Sequence, residues 1–381
     1  MLSQYDTDLD KNSANYQSLT PVNFLRRAAR VYPDKTAVAH GKRRINYAEF
    51  YTRCRRLASA LSQRGISKGD TVSVMAPNVP ALLEAHYAVP MIGAVLNALN
   101  TRLDAPTIAF ILDHAETKLL ITDRVFSPII QEALMLAKTN PVVIDIDDPL
   151  EQDGELLGQT EYEDFLRDGD AGYLWAPPDD EWQALSLNYT SGTTGNPKGV
   201  VYHHRGAYLN ALGNTISFGL NSDSVYLWTL PMFHCNGWTY TWAVTAACGM
   251  HVCLRSVDPG LIFPMIEEFK VTHMCGAPIV LTMLIHAPEG VEGGFEHGPV
   301  EIATGGAAPP SAVIEGMENM GFRVTHLYGM TESYGPSTVC AWQSEWDDLT
   351  GEARAAVMAR QGVNYITLED QTVLHEETLE P

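Results

Sequence analysis

The sequence has little positive charge. It carries 25 Lys and Arg residues against 46 Asp and Glu residues, which gives a formal net charge of −21 at pH 7. Such a chain repels polyanions, so the composition disfavours nucleic acid and anionic membrane surfaces as partners. A ligand that carries phosphate therefore has to be held by a local cationic site.

Long apolar runs are also missing. The longest, Trp238–Leu254, is interrupted by three threonines, a glycine and a histidine, and it is shorter than the ~20 apolar residues that a membrane-spanning helix needs. The first residues, MLSQYDTDLDKNSANYQ, show neither the basic nor the apolar stretch of a secretory signal. We therefore expect a cytoplasmic protein that makes no contact with a membrane.

Paired cysteines are absent as well. The chain contains no CxxC pair and no cysteine spacing typical of a zinc site. The adjacent His203 and His204 are interpreted as structural, because neighbouring side chains rarely converge on one ion. Six cysteines are expected to be buried thiols in a reducing compartment: Cys54, Cys235, Cys248, Cys253, Cys275 and Cys340.

What the sequence does contain is an alternation of short β-rich runs and stretches with helical character. This order predicts right-handed βαβ units and a largely parallel sheet, which is an α/β fold. The β-rich runs are TVSVMA (71–76), LLIT (119–122), VVIDI (142–146), LSLNY (185–189), VYLWTL (225–230), HVCL (251–254), THMCG (272–276), VEIATGG (300–306) and FRVTHLYG (322–329). A helix is expected over residues 128–138. The acidic segment 145–170 is interpreted as a solvated connection between two α/β units.

Two helix starts can be read from capping residues. Thr20 and Pro21 predict the N-cap and the first position of a helix. Asn46 and Glu49 have the spacing of a capping box for a second helix, and Gly65 follows its last apolar position. The last residues, from 364 onward, are expected to form a strand pair.

The segment YTSGTTGNPKG, residues 189–199, has the composition of a phosphate-binding loop. It is not a Walker A loop, because Pro197 precedes Lys198 and no hydroxyl residue follows the lysine. What remains is a glycine-rich loop with four hydroxyl side chains and one cation, a set that can surround the β- and γ-phosphates of a nucleotide. Taken alone, the segment could also be a flexible surface linker.

Three further motifs accompany this loop, and all four stand in the order found in the adenylate-forming superfamily. LPMFHCNGW (230–238) resembles the acyl-pocket motif of that superfamily, GGAAPP (305–310) its adenine-side loop, and HLYGMTES (326–333) its YGxTE motif. The superfamily includes acyl-CoA synthetases, luciferases and the adenylation domains of peptide synthetases. The stretch from LTPVNFLRRAARVYPDK onward looks like the short- and medium-chain acyl-CoA synthetase branch, which includes plant acyl-activating enzymes and bacterial methylthiopropionate-CoA ligases.

The resemblance implies the large N-terminal domain of these enzymes, with two stacked αβ subdomains and the start of a β-barrel-like subdomain. We expect a first α/β subdomain at 1–180, a second one with the ATP and acyl sites at 181–340, and an incomplete β subdomain at 341–381. The implied reaction joins a short- or medium-chain acid to ATP, giving an acyl-adenylate that coenzyme A then attacks. Mg²⁺ would neutralise the phosphates. A homodimer is a further expectation.

The resemblance also implies roles for individual residues. Glu332 and Thr190 would hold magnesium, and Lys198 would contact the β- and γ-phosphates. His234, Trp238 and Gly306 would line the acyl site. The expected ATP-binding residues are Thr190, Ser191, Gly192, Thr193, Thr194, Gly195, Lys198, Gly305, Ala307, Ala308, Pro309, His326, Leu327, Tyr328, Gly329, Met330, Thr331 and Glu332.

The sequence departs from the superfamily in one respect. No TGD motif follows Glu332, and no lysine follows Lys270, whereas relatives use a TGD aspartate for the ribose and a later lysine for adenylation. The resemblance therefore describes a large domain without the small C-terminal domain, and the 381 residues alone are expected to be nearly inactive. Two other functions stay open at this point: a noncatalytic nucleotide- or acyl-binding fragment, and an adenylate-forming enzyme of the luciferase type.

Overall fold

The computed structural model describes residues 3–190, 196–290 and 293–381. Two mixed β-sheets with helices packed on them form the molecule, so the predicted α/β fold is confirmed. No helix in these ranges combines the length and the apolar character needed to cross a membrane. The described cysteines are all free thiols, and only Cys340 is partly accessible.

The strands are short, and most of them are buried on both faces. In chain order they are β1 (Thr36–His40), β2 (Arg43–Asn46), β3 (Thr71–Met75), β4 (Val95–Ala98), β5 (Thr117–Asp123), β6 (Val142–Ile146), β7 (Thr160–Glu161), β8 (Ala184–Thr190), β9 (Lys198–His203), β10 (Val225–Leu227), β11 (Met250–Val252), β12 (His273–Gly276), β13 (Val300–Thr304), β14 (Phe322–Met330), β15 (Gly335–Val339) and β16 (Val363–Asn364).

The helices connect these strands and cover the sheets. They are α1 (Val22–Val31), α2 (Tyr47–Gln63), α3 (Pro80–Met91), α4 (Ala105–His114), α5 (Ser127–Leu136), α6 (Tyr162–Asp168), α7 (His204–Ser217), α8 (Cys235–Trp238), α9 (Tyr240–Ala246), α10 (Pro259–Phe269), α11 (Pro278–Ile285), α12 (Ser311–Asn319) and α13 (Gly351–Met358).

The first sheet has seven strands in the order β7-β6-β5-β3-β4-β8-β9. Its neighbours are parallel except for β8 and β9, which form an antiparallel pair at one edge. The second sheet has nine strands in the order β16-β15-β14-β13-β12-β10-β11-β1-β2. Its centre is parallel, and an antiparallel hairpin, β1 with β2, forms one end.

Between the sheets, buried charges are compensated by ion pairs. Helix α3 is buried along its whole length, including Glu84, and the Arg53 Nε donates to Glu84 Oε1 over 2.6 Å. The Tyr162 hydroxyl donates to the second oxygen of the same carboxylate, also at 2.6 Å. Because an unpaired charge in such a place costs several kcal/mol or more, these contacts fix how α2, α3 and α6 pack.

A second ion-pair cluster joins the two sheets directly. Arg255 follows β11 of the nine-stranded sheet, and its Nη1 lies 2.9 Å from Asp123 Oδ2 and 2.6 Å from Asp148 Oδ2, both in the seven-stranded layer. His40 Nε2 at the end of β1 lies 2.6 Å from the same Asp148 oxygen. Burial by itself raises the pKa of Asp148, but the hydrogen bonds from His40, Leu150 and Arg255 outweigh it and hold this pKa well below its ordinary value.

The predicted elements recur with small shifts at their ends. Each of the nine β-rich runs contains a strand, and the helix expected over 128–138 is α5. Helix α1 begins one residue after Pro21, with the Thr20 hydroxyl accepting from the Val22 N–H. The Asn46 side chain caps α2 by accepting from the Glu49 N–H at 2.8 Å.

Two expectations are wrong, one about the acidic segment 145–170 and one about the last residues of the sequence. The acidic segment 145–170 is not merely a solvated connection, because it contains β7, which pairs with β6, and α6, which packs on α2. Apolar side chains of α6 and the carboxylate of Asp145 are buried there. The strand pair expected at the end is also missing: β16 is the one strand described in 341–381, so these residues close no barrel.

Candidate active site

The two ends of the phosphate-loop motif lie on paired strands at one edge of the seven-stranded sheet. The antiparallel strands β8 and β9 are in register up to their ends, where Thr190 pairs with Lys198. This pairing brings the backbones of a hydroxyl residue and a lysine opposite each other at the ends of the two strands. The predicted site residues Ser191, Gly192, Thr193, Thr194 and Gly195 lie outside the described residues.

The YGxTE motif occupies a second hairpin, in the other sheet. Strand β14 ends at Met330, which pairs with Gly335 of β15, and a single 3₁₀ turn, Thr331–Ser333, connects them. Tyr334 ends this turn with φ of 69°. The exposed Glu332 side chain therefore lies at the tip of the hairpin.

The two hairpins are held together by a pair of tyrosines. The rings of Tyr202 on β9 and Tyr334 stack with 4.1 Å between their centroids. The Tyr202 hydroxyl donates to the Thr331 carbonyl at 2.6 Å, and the His203 N–H donates to the Tyr334 hydroxyl at 3.1 Å. Groups from two different sheets thus meet at one place.

A cavity of about 410 Å³ lies where the hairpins meet. Its polar side includes Lys198 and Glu332, and its apolar side includes Trp238, so it offers both charged and nonpolar contacts. In the described residues the lining consists of Thr190, Lys198, His234, Cys235, Trp238, Gly305, Gly306, Leu327, Tyr328, Gly329, Met330, Thr331, Glu332, Gly335 and Pro336.

The acyl-pocket motif adopts a left-handed helical turn. All residues from Cys235 to Thr239 have φ between 49° and 61°, and Asn236 and Gly237 have ψ of 44° and 43°. Backbone N–H groups of Trp238 and Thr239 donate to carbonyls four residues earlier, at 3.1 and 3.2 Å. Residues other than glycine lose about 1–2 kcal/mol each in this conformation, so the surrounding structure must stabilise it.

Buried amide groups supply that stabilisation. The Asn214 Nδ2 on α7 donates to the Trp238 carbonyl at 2.7 Å and to the Thr239 hydroxyl at 2.8 Å. On the other side, the Ser186 hydroxyl and the Asn188 amide on β8 both donate to Asn236 Oδ1, at 2.8 and 2.9 Å. The turn is thereby fixed between α7 and β8, and it aims the indole of Trp238 into the cavity.

Trp238 and one glycine define the apolar end of the cavity. A Cβ atom added to Gly305 would lie 3.2 Å from the indole ring of Trp238 and 2.8 Å from the Leu327 carbonyl oxygen. The absence of a side chain at Gly305 therefore leaves room for the indole and for the Leu327 carbonyl next to the loop after β13. Trp238 is only 7% exposed, so its indole ring is enclosed by protein and closes this end of the cavity.

The polar groups next to the indole are neutral at physiological pH. Burial, with a smaller contribution from the charge of Arg102, lowers the pKa of His234, so its imidazole carries no charge near pH 7. Burial also raises the pKa of the Cys235 thiol, whose sulfur lies 3.4 Å from the Thr331 hydroxyl oxygen. A neutral imidazole can accept or donate one hydrogen bond beside a reacting carboxylate.

The oxygen atoms of the site suit magnesium. Glu332 offers a carboxylate and Thr190 a hydroxyl on the same cavity wall, and Mg²⁺ is commonly held by one or two carboxylates together with substrate phosphates and water. Among the described residues no cluster of three or more His, Cys, Asp or Glu side chains could hold an ion alone. The set fits an ion that arrives with a nucleotide.

The structure brings together most, but not all, of the predicted site residues. Ala307 and Ala308 are exposed and Pro309 is buried, and none of the three lines the cavity. The ring of His326, expected to bind ATP, is not part of the cavity lining, and its Nδ1 is 2.9 and 3.1 Å from the carbonyl oxygens of Ala359 and Arg360. Carbonyl groups at the C-terminal end of a helix have no hydrogen-bond partner inside that helix. The His326 ring provides a partner for the two carbonyl groups that follow α13.

Some lining residues were not predicted as site residues. Cys235 lies within the acyl-pocket motif between two residues that were named, and its position there was a usable signal. Gly335 and Pro336 begin β15, directly after the YGxTE motif. They reach the cavity because β15 folds back on β14, and this pairing had no sequence signal.

Comparison with known proteins identifies the family of this chain. Residues 25–371 match the AMP-binding enzyme family. An acetate/butyrate–CoA ligase of Arabidopsis thaliana is 48% identical over 387 residues, which cover 98% of this chain and 68% of the relative. An acetate–CoA ligase of Humulus lupulus is 49% identical over 388 residues, with the same coverage.

Solved structures share the fold. The N-terminal domain of FACL13 from Mycobacterium tuberculosis superimposes with a TM-score of 0.78 at 25% identity and covers 91% of this chain and 83% of that domain. The expectation of a cytoplasmic location is wrong by this comparison, because the Arabidopsis acetate/butyrate–CoA ligase and a trans-cinnamate:CoA ligase of Petunia hybrida, 45% identical, are both peroxisomal. The chain belongs to the AMP-binding enzyme family, and its relatives in that family are acyl-CoA ligases.

Proposed function

We propose that this chain activates a short- or medium-chain carboxylic acid with ATP and transfers the acyl group to coenzyme A. The acid oxygen would attack the α-phosphorus of ATP, expelling pyrophosphate, and the thiol of coenzyme A would then displace AMP from the acyl-adenylate. Methylthiopropionate is one acid of suitable size. Association into a homodimer remains a prediction.

One observation carries this proposal: the charged hairpin ends and the indole of Trp238 face the same cavity of about 410 Å³. Two anions, a carboxylate and a polyphosphate, have to approach each other in the reaction, and this needs cations at one end and an apolar wall at the other. Relatives named for acetate, butyrate and 2-methylpropanoate support a small acid.

Each group would have a distinct task in the reaction. The Lys198 ammonium would neutralise the β- and γ-phosphates, and the pairing of β9 with β8 fixes the backbone from which this side chain extends. Glu332 and Thr190 would hold Mg²⁺, which neutralises phosphate charge when bound. The neutral imidazole of His234 would contact the reacting carboxylate, and Trp238 would exclude water from the apolar end.

The experiment that tests the acid assignment is a chain-length profile of pyrophosphate release for Trp238→Ala. Each additional buried methylene contributes ~0.8 kcal/mol, so removal of the indole should shift the preference toward longer acids by about fourfold per CH₂. Trp242→Phe changes a buried tryptophan outside the cavity and should leave the profile unchanged. An unshifted profile in Trp238→Ala would assign the indole to core packing alone.

The alternatives differ in their products. An acyl-CoA ligase releases pyrophosphate and forms a thioester in the presence of coenzyme A. A luciferase-type enzyme releases pyrophosphate and then consumes the adenylate by oxidation, and a binding fragment does neither. Measuring pyrophosphate and thioester together on the same sample distinguishes all three.

We further propose that a polypeptide of these 381 residues alone binds ATP but forms acyl-CoA slowly. In the described lining, Lys198 is the one permanently cationic side chain, and a missing stabiliser of transition-state charge commonly costs on the order of 10²–10³ in rate. Rapid thioester formation by this polypeptide would contradict the proposal.

A further inference from the structure

A groove separate from the cavity is lined by basic residues, although the chain as a whole is acidic. It lies between α1, α2, α7 and α9, has a volume of about 1330 Å³, and shares no lining residue with the cavity. Its described lining includes Arg26, Arg27, Arg30 and Arg55 and no acidic residue, although acidic residues outnumber basic ones by 46 to 25 in the sequence. We call it the arginine groove.

The four guanidinium groups of the arginine groove have no carboxylate partner. The ion pairs of the described chain involve other arginines. Arg26 lies over the ring of Trp175 at 5.0 Å, and Arg55 over the ring of Tyr51 at 4.8 Å. Arg27 Nη1 donates to the Cys248 sulfur at 3.5 Å. These contacts orient the groups but leave most of their donor N–H groups available.

Two polar atoms in the groove are buried without a hydrogen-bond partner among the described residues: Arg55 Nε and Asn23 Oδ1. An unsatisfied buried polar group costs about 1–3 kcal/mol, and native structures contain few of them. An acceptor atom of a bound ligand could form the missing hydrogen bond with Arg55 Nε.

The spacing of the arginines on α1 is unfavourable for the helix itself. Arg26 and Arg30 are four residues apart and Arg27 and Arg30 three apart, so like charges face each other and destabilise the helix. The four-residue spacing places the Cα atoms of Arg26 and Arg30 about 6 Å apart along the helix axis, so both side chains can reach two linked phosphates. Guanidinium is well suited to phosphate because its planar N–H groups form paired hydrogen bonds.

The remaining lining offers aromatic surface. The rings of Phe24 and Tyr208 stack with 4.7 Å between centroids, and Tyr51 is half-buried beside them. Aromatic faces next to arginines suit a ligand that has a flat ring attached to its anionic group.

We propose that the arginine groove binds a diphosphate-bearing nucleotide at a second site, separate from the cavity. The arginines would hold the two phosphates, and the aromatic side chains would contact the base. Because the groove is built from α1, α2, α7 and α9, this site does not depend on the activity proposed for the cavity.

The proposal can be tested by calorimetric titration of the Lys198→Ala protein, in which phosphate binding at the cavity is weakened. ADP and inorganic pyrophosphate are the two probes. The double variant Arg26→Gln/Arg30→Gln should lose ADP affinity by about tenfold or more, since charge-assisted hydrogen bonds are among the stronger protein contacts. The control Arg323→Gln/Arg360→Gln makes the same charge change on exposed side chains elsewhere and should shift affinity by less than about twofold, because distant exposed charges are screened.

Three outcomes decide between the possibilities. Tighter binding of ADP than of pyrophosphate, lost in the groove variant only, supports the proposal. Equal binding of both probes would overturn the part assigned to the aromatic rings. Equal losses in the groove and control variants, or no binding in the Lys198→Ala protein, would overturn the site. Hydrogen exchange measured with and without ADP locates the binding site independently. The backbone amides of α1 should exchange more slowly when ADP is bound.

Discussion

Two asparagines of α7 stabilise the left-handed turn: Asn210 Oδ1 accepts from the Thr239 hydroxyl at 2.5 Å, and Asn214 makes the larger set of contacts. Replacement of Asn214 by alanine is therefore a direct test of that turn. The Asn214 amide donates to the Trp238 carbonyl and to the Thr239 hydroxyl, and its Oδ1 accepts from the Tyr365 hydroxyl at 2.9 Å. Asn214→Ala leaves three buried groups without this partner. At about 1–3 kcal/mol for an unsatisfied group, and with some relaxation, we expect a loss of roughly 2–5 kcal/mol in the free energy of unfolding.

The functional effect should be specific to the acid. A relaxed turn moves the indole of Trp238, which lies at the apolar end of the cavity, while the side-chain hydrogen bonds of Asn214 in the described residues do not involve the hairpin that carries Lys198 and Thr190. We therefore expect KM for the acid to rise at least tenfold and KM for ATP to change by less than about threefold. Pyrophosphate release at varied acid and varied ATP measures both constants.

Asn97→Ala is the matched control. Asn97 is also a fully buried amide, but it donates to Ser73 within the seven-stranded sheet and does not line the cavity. The control should be destabilised without a change in either KM. The reasoning is refuted if Asn214→Ala raises KM for the acid no more than Asn97→Ala does, or raises both KM values equally.

Three further predictions follow from the site and the sheet interface. Lys198→Ala should weaken binding of an ATP analogue about tenfold or more without changing the unfolding midpoint, as calorimetry and urea denaturation can check. Gly305→Ala should cost about 1–3 kcal/mol and reduce turnover of longer acids first, because the new methyl group meets the indole. The depressed pKa of Asp148 contributes stability that is present above pH ~4 and is lost as pH falls through the folded-state value. Arg255→Met should thus destabilise the protein more at pH 7 than at pH 3, whereas Arg323→Met, at an exposed pair, should show no such difference in urea midpoints.

The parts of the fold that could be predicted are those with local causes. The buried parallel strands appear as continuous β-rich runs because both faces are covered, as in β3 and β5. Asn46 could be recognised as a cap because its partner, the Glu49 N–H, is three residues away. The motif at residues 189–199 could be recognised in the sequence because its composition departs from its surroundings, and its phosphate-binding role stays a prediction.

Features that depend on distant partners could not be predicted. Strand β2, with sequence RRIN, has two exposed arginines and no β-rich run, and it forms because β1 offers a pairing edge. The left-handed conformation of Cys235–Thr239 needs the amides of Asn188 and Asn214, which no local pattern connects to it. The contact of the His326 ring with the Ala359 carbonyl after α13 likewise had no local signal, because the two residues are far apart in the sequence.

The pairing of β1 with β11 also has a consequence for how the chain folds. Val38 and Ala39 pair with His251 and Val252. Strand β1, near the beginning of the chain, can therefore complete its pairing only after β11, which comes much later in the sequence. Such pairings slow folding, because the long loop must be closed before the contact gives any stabilisation. During synthesis, the β1–β2 hairpin would expose an open edge until β11 has left the ribosome. A chaperone that covers this edge should therefore increase the yield of native protein more than one that acts only on the finished chain.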